Sequence, residues 1–474
     1  MSRPLAALFL AAAFGAGPSG LGAEASAADP LAGTWVGELA LGAITIRVVF
    51  NVAGAGGTLS ATMDSPDQGA KGIPVTAARN DHGSIVLEVK GIGGVYRGTL
   101  SGDGSRVEGQ WVQGGSTFPV VLKRSPGPFT VERPQEPRPP FPYREREVSI
   151  PSADGVVLAG TVAIPPGPGP FAAVVLVTGS GPQNRDEELM GHKPFLVISD
   201  YLARHGIEVL RFDDRGVAHS TGTFADATTL DFADDAEAAL AFLAARPEVD
   251  RRRVGIAGHS EGALDAAIAA ARNPAVRFVV MLAGPGIRGD QLLALQAAAI
   301  GRAAGQDEAT LAAVGELNRR LYDLAESEVD PTALVTEGRA EAARFLERDT
   351  RLPQAVKDEL NRSIGSQVAQ LATPWIRTFL RLDPADYLSR ISVPVLALNG
   401  SRDLQVPAEV NLAAVRAALQ KAGNTRSRVV ELPGLNHLFQ HADTGLPSEY
   451  GRIPETFAPE ALAAMESFIR ALPR

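Results

Sequence analysis

From residue 30 to 124, apolar and polar positions alternate in short runs separated by turn residues. The runs are TWVGEL (34–39), ITIRVVF (44–50), GTLSATM (57–63), SIVLEVK (84–90), VYRGTL (95–100), VEGQWV (107–112) and FPVVLKR (118–124). A period of two sends one face of a strand to a core and the other to water. Glycine-containing breaks between closely spaced runs mark hairpins. The pattern predicts a small all-β barrel or sandwich, with Trp35 and Trp111 as core aromatics near its two ends.

Residues 125–143 (SPGPFTVERPQEPRPPFPY) are dense in proline. Proline lacks the N–H and fixes φ, so this stretch builds neither a helix nor a central strand and reads as a stiff linker. From 144 to 474 the rhythm changes. Near-continuous apolar runs at 156–164, 172–177, 206–212, 253–257, 276–283, 392–398 and 428–432 alternate with helical stretches at 194–205, 230–246, 261–272, 407–420 and 458–471. Strands without alternation are buried on both faces, which predicts an α/β unit with a mostly parallel sheet covered by helices. Residues 286–388 interrupt the rhythm with alanine-rich helical segments, expected to form a helical cap insertion.

The first 27 residues pair a short basic lead with an apolar run, LAALFLAAAFGA (5–16), and a small-x-small site, ASA (25–27). This predicts a cleavable signal peptide, hence a periplasmic or secreted protein with no integral membrane span after cleavage. The chain has no cysteine, so thiol nucleophiles and disulfides are excluded, and the fold is indifferent to the redox state of its compartment. A net charge of −9 argues against a nucleic-acid partner. Seven histidines are scattered, with no helical i, i+4 pair beside a carboxylate, so neither a metal nor another cofactor is expected.

Candidate chemistry centres on GHSEG (258–262), the one G-x-S-x-G in the chain, placed between the run 253–257 and the helix from 261. A strand-to-helix turn that tight exposes the serine hydroxyl and leaves no room for side chains two residues away. The helix N-terminus behind it favours developing negative charge. A serine hydroxyl needs a base, and the base an orienting acid. On such a fold these follow in the order serine, acid, histidine. His437 and His441 lie late enough; His437 follows its strand by the shorter loop and is the expected base. Asp403, just after the run 392–398, is the expected acid. The oxyanion would be held by the backbone N–H of Glu261 and that of Ser180, with Gly181 as second choice in the loop TGSGPQ (178–183); Pro182 has no N–H to offer. Gly181, Arg185, His259 and Trp375 are candidates for the substrate pocket, His259 also for local packing or hydrogen bonding.

Taken together, TGSGPQNRDE (178–187), GHKPF (191–195), VLRFDDRGVAHSTG (209–222), GHSEG (258–262), PVLALNGSRDLQVP (394–407) and LPGLNH (432–437) resemble the bacterial α/β-hydrolases of the EstD-type esterase family, over about residues 145–474. The resemblance implies a carboxylesterase acting on small-molecule esters with short acyl chains, with Ser260, Asp403 and His437 as its triad. The chain departs at Ala218, where glycine is more usual; Asp214 and Arg215 are expected to brace the loops below the site. Two other readings stand beside this one. A serine aminopeptidase-like enzyme on the same fold needs acidic groups for a substrate ammonium, and Asp186, Glu187 and Glu188 are the candidates. An envelope or glycan-binding protein would use the β domain, whose partner the sequence does not identify, and carry a vestigial hydrolase. Haloalkane dehalogenation needs aspartate at 260 and dienelactone hydrolysis cysteine, so neither fits.

Overall fold

The computed structural model describes residues 29–41, 44–55, 58–327 and 330–473. The expected signal peptide lies outside the described residues. The first sheet comprises β1 (Gly33–Leu41), β2 (Ile44–Ala55), β3 (Thr58–Ser65), β4 (Ala70–Val75), β5 (Ala77–Asp81), β6 (Ser84–Val89), β7 (Gly94–Leu100), β8 (Arg106–Gln113) and β9 (Ser116–Arg124). It is an antiparallel meander in the order β4-β3-β2-β1-β9-β8-β7-β6-β5, joined through the β1–β9 pair. The inward positions of the alternating runs, including Trp35, Phe50, Leu87, Tyr96 and Trp111, make one core. Two strands escaped the sequence pattern. β4 (AKGIPV) carries Gly72 and Pro74, and β5 (AARND) is polar, so neither alternates cleanly.

The second sheet comprises β10 (Arg144–Pro151), β11 (Val157–Ile164), β12 (Phe171–Val177), β13 (Ile207–Phe212), β14 (Val249–His259), β15 (Val279–Leu282), β16 (Val395–Gly400) and β17 (Arg428–Leu432). Its order is β10-β11-β13-β12-β14-β15-β16-β17, antiparallel at β10–β11 and β11–β13 and parallel from there on. β10 (REREVSIP) is mostly exposed and charged, which hid it from a search for apolar runs.

Helices cover both faces. α1 (Pro194–Arg204) lies on one side, and α2 (Thr229–Ala244) and α3 (Glu261–Arg272) on the other. The insertion follows as α4 (Gly289–Ala303), α5 (Glu308–Glu326), α6 (Pro331–Arg348), α7 (Gln354–Leu371), α8 (Pro374–Arg381) and the short α9 (Ala385–Leu388). Helices α4 to α8 share a core built on Leu317, Leu321, Phe345 and Leu380, separate from the two cores that sandwich the sheet, whereas Leu388 of α9 packs into the core on the α2–α3 side. The chain then returns through α10 (Ala408–Lys421), on the α2–α3 side, and α11 (Pro459–Arg470), on the α1 side.

The two sheets are stitched together. Arg47 of β2 pairs with buried Asp67 and donates to the Gly451 carbonyl at 3.0 Å; Arg452 reaches Glu38 at 2.9 Å. The proline-rich stretch joins in. Buried Arg133 donates to the carbonyls of Met190, Gly191, Gly451 and Ile453. No helix among the described residues is long and apolar enough to cross a membrane.

Candidate active site

Ser260 sits at the hinge between β14 and α3 with φ +53° and ψ −119°. An L-residue enters such a conformation only where surrounding contacts hold it. Here its N–H donates to the Leu282 carbonyl at the end of β15, at 2.8 Å. A Cβ on Gly258 would stand 1.9 Å from the Gly262 carbonyl oxygen, and one on Gly262 2.3 Å from that of Val177. Neither site admits a side chain, so the two glycines are what lets strand, turn and helix close. Ser260 itself is half-exposed.

His437 lies in the loop after β17 and is buried, with Nδ1 2.8 Å from Asp403 Oδ2. Asp403, in the loop after β16, spends Oδ1 on the N–H groups of Gln405 and Val406, both at 2.8 Å. A carboxylate so held keeps the proton of a neutral imidazole on Nδ1 and leaves Nε2 as an acceptor. His259, the neighbour of Ser260, has its ring centroid 4.8 Å from that of His437. The elbow, the base and the acid thus sit at the carboxyl ends of β14, β17 and β16, with base and acid in direct contact. His441, the other late histidine, is exposed and sits between Glu455 and Glu460, at 2.8 and 3.0 Å.

The loop after β12 packs onto the elbow: a Cβ on Gly179 would lie 3.1 Å from that of Ser260. The Gly179 N–H is taken by Glu187 at 2.9 Å, and the amides of Ser180 and Gly181 come next along the same loop. The Glu261 side chain is buried behind its own amide. Thr229 and the Trp375 indole N–H each donate to it at 2.7 Å. Burial pushes its carboxyl up, against the downward pull of Thr229, Trp375 and Ser180. Trp375, on α8, thereby ties the insertion to the elbow.

Two pocket candidates have other work. Arg185 is bidentate to Asp213, at 3.1 and 2.9 Å, and also reaches Glu147 and Thr161. A half-buried guanidinium turns to the carboxylates that compensate it. His259 lies beneath the elbow, its nitrogens engaged by Glu187 and the His437 carbonyl. Asp186 pairs with Arg211, and His192 is buried among Thr456, Tyr450 and Gln440, where burial pushes its ring down to about 4. Asp214 accepts from Thr178 and from the Gln183 N–H, and Arg215 grips Asp235. Sequence reasoning did not connect Glu187 with His259: in a run of charges (RDEE, 185–188) it looks like one more solvated carboxylate.

A mostly parallel eight-stranded sheet, helices on both faces and a serine elbow after its fifth strand in chain order define an α/β-hydrolase. The chain belongs to the Hydrolase_4 family, described as serine aminopeptidase, S33, whose profile matches residues 194–443, more than half of the chain. It is similar to Esterase EstD of Thermotoga maritima, 30% identical over 321 residues that make up 66% of this chain. The match spans 64% of the length of that relative. Among solved structures, an esterase of Pyrococcus furiosus is 18% identical with a TM-score of 0.41, covering 70% of this chain and 93% of that one. Hypothetical protein PA2218 of Pseudomonas aeruginosa is 18% identical with a TM-score of 0.45, covering 73% and 99%.

Proposed function

We propose that the chain is an exported serine carboxylesterase that hydrolyses short-acyl esters through Ser260, His437 and Asp403. The observation that carries the reading is the 2.8 Å contact between His437 Nδ1 and an Asp403 fixed by two backbone amides, beside a serine in a strained elbow. His437 Nε2 takes the proton of the Ser260 hydroxyl as its oxygen attacks the ester carbonyl. The oxyanion forms against the N–H groups of Glu261 and Ser180. Collapse expels the alcohol, which takes the proton back from His437, and leaves an acyl-Ser260. Water activated by the same imidazole then releases the acid. The similarity to Esterase EstD supports an ester as substrate. The aminopeptidase reading loses its anchor, because Asp186 is paired with Arg211 and Glu187 with His259, while exposed Glu188 stands 3.6 Å from Lys71.

The test is turnover of p-nitrophenyl acetate and butyrate against an aminoacyl nitroanilide, with fluorophosphonate labelling of the wild type and Ser260→Ala. Ester turnover with one label per chain, both lost in Ser260→Ala, is the expected result. Undiminished labelling of Ser260→Ala would reject the triad; turnover of the anilide alone would move the chain to the peptidases. N-terminal sequencing of the exported chain tests cleavage after residue 27.

A further inference from the structure

The residue before the candidate nucleophile is held by acceptors on both sides of its ring. His259 Nδ1 lies 2.9 Å from Glu187 Oε1, and Nε2 lies 2.9 Å from the main-chain oxygen of His437. A carboxylate and a carbonyl only accept, whereas a neutral imidazole has one donor and one acceptor. Both contacts are satisfied together only when both nitrogens carry a proton. Glu187 is also committed elsewhere: the same Oε1 takes the Gly179 N–H at 2.9 Å. Its backbone stands at φ +51°, a conformation unfavourable for a residue with a Cβ, and its side chain is buried.

We propose that His259 is a permanent imidazolium which, paired with Glu187, acts as a positioning residue for the base and the oxyanion loop. This rests on the esterase reading for the roles of His437 and of residues 179–181. One carboxylate fixes the loop at Gly179; the cation it balances fixes the backbone of His437; and the chain link from 259 to 260 ties both to the elbow. The groups facing the ring are Glu187 from the loop after β12, Asp403 and His437 from the loops after β16 and β17, and the apolar edge of Phe439. Asp214 lies near Glu187, its own carboxyl pushed well up by burial and by that neighbour. Burial works against the charge on His259, but Glu187, the His437 carbonyl and Asp403 outweigh it, and the ring is held above its ordinary value.

The experiment is nitrogen NMR of the full chain with ¹⁵N-labelled histidine, assigned with His259→Gln, from pH 6 to pH 9. Two protonated nitrogens on His259 throughout are expected; a neutral tautomer at pH 8 would overturn the proposal. Glu187→Gln removes the compensating charge, so His259 should titrate within this range. With kcat counted per fluorophosphonate-reactive site, kcat should fall on the order of tenfold, KM should stay within about threefold, and the loss should be larger at pH 8 than at pH 6. Glu187→Asp should restore the doubly protonated signal. A loss in Glu187→Gln independent of pH would mean packing alone and would overturn it too. Should Glu187→Gln not fold, the wild-type spectrum decides. That spectrum reads the ring's charge whether or not Ser260 is the nucleophile, so its failure is separate from failure of the labelling test.

Discussion

Asp403 meets His437 with one oxygen and two backbone amides with the other, so the carboxylate cannot rotate without breaking three hydrogen bonds. In Asp403→Asn the amide oxygen would stay with the N–H groups of Gln405 and Val406. The NH2 would then face His437 Nδ1 and force the ring's proton onto Nε2, the nitrogen that must accept from Ser260. We expect kcat to fall about 10³–10⁴-fold with KM within a few-fold and the fold intact by circular dichroism. A drop of less than tenfold would mean that this aspartate does not set the tautomer.

A second prediction concerns pH and stability. Burial raises the carboxyls of Asp265 and Asp214 well above their ordinary values, and lifts Glu208 to about 7. For Asp265 the neighbouring Glu261, Asp214 and Asp235 add to the rise, and its Oδ1 has no hydrogen-bond partner among the described residues. A carboxyl whose pKa is higher folded than unfolded binds its proton more tightly in the folded state. Its contribution is complete below about pH 4 and fades as pH climbs through the folded value. Carboxylates held low, such as Asp213, limit stability from the acid side. Tm should therefore be higher at pH 5.5 than at pH 8.5, by roughly 2–4 °C. Asp265→Asn keeps the shape without the charge, so it should raise Tm at pH 8.5 more than at pH 5.5. An equal effect at both would show that Asp265 is not the protonated group.

Much of this was legible in the sequence because its strongest signals are local. GHSEG demands a strand before it and a helix after it, and both are found within a few residues of the expected places. The run around 172–177 is a strand because apolar side chains buried on both faces leave little choice. Ala218, where glycine is more usual, indeed adopts φ +47°. What stayed hidden is long-range. β10 is charged because its neighbours are charged: its Glu145 pairs with Arg211 and its Glu147 with Arg185. Arg185 read as a pocket residue for the same reason. Compensation between groups far apart in the chain leaves no periodicity to read.

The link between insertion and elbow gives a third prediction. The Trp375 indole is one of two side chains donating to Glu261 Oε1, and it stacks on Phe379 at a centroid distance of 5.8 Å. Trp375→Phe keeps most of the packing and removes the donor from a buried carboxyl, which should cost about 1–3 kcal/mol by denaturant unfolding. Glu261→Gln in the same background should recover part of it, with a coupling of at least about 0.5 kcal/mol. Additive effects would mean that the indole contributes by packing only.

The last prediction addresses how the β domain bears on the hydrolase. Arg133 stands in the proline-rich connection, yet it is buried and its guanidinium donates to four main-chain oxygens at 2.8–3.2 Å. Two belong to Met190 and Gly191, in the loop that carries Glu187. Two belong to Gly451 and Ile453, at the 3-10 turn Pro447–Arg452 that buries Tyr450. The same turn takes Arg47 and faces Asp67 from the β domain. Arg133 thus bridges the segments flanking the site at the place where the β domain rests. An ammonium has three donors around one point and cannot reproduce a planar fork spanning four acceptors. Arg133→Lys should therefore cost about 2–4 kcal/mol, since orphaned carbonyls stay buried. Urea unfolding should separate into two transitions, and chymotrypsin should cut the 125–143 segment after Phe129 faster than in wild type. A single cooperative transition with unchanged cleavage would show that the two domains are coupled through Arg47 and Asp67 instead, and that this guanidinium only fills space.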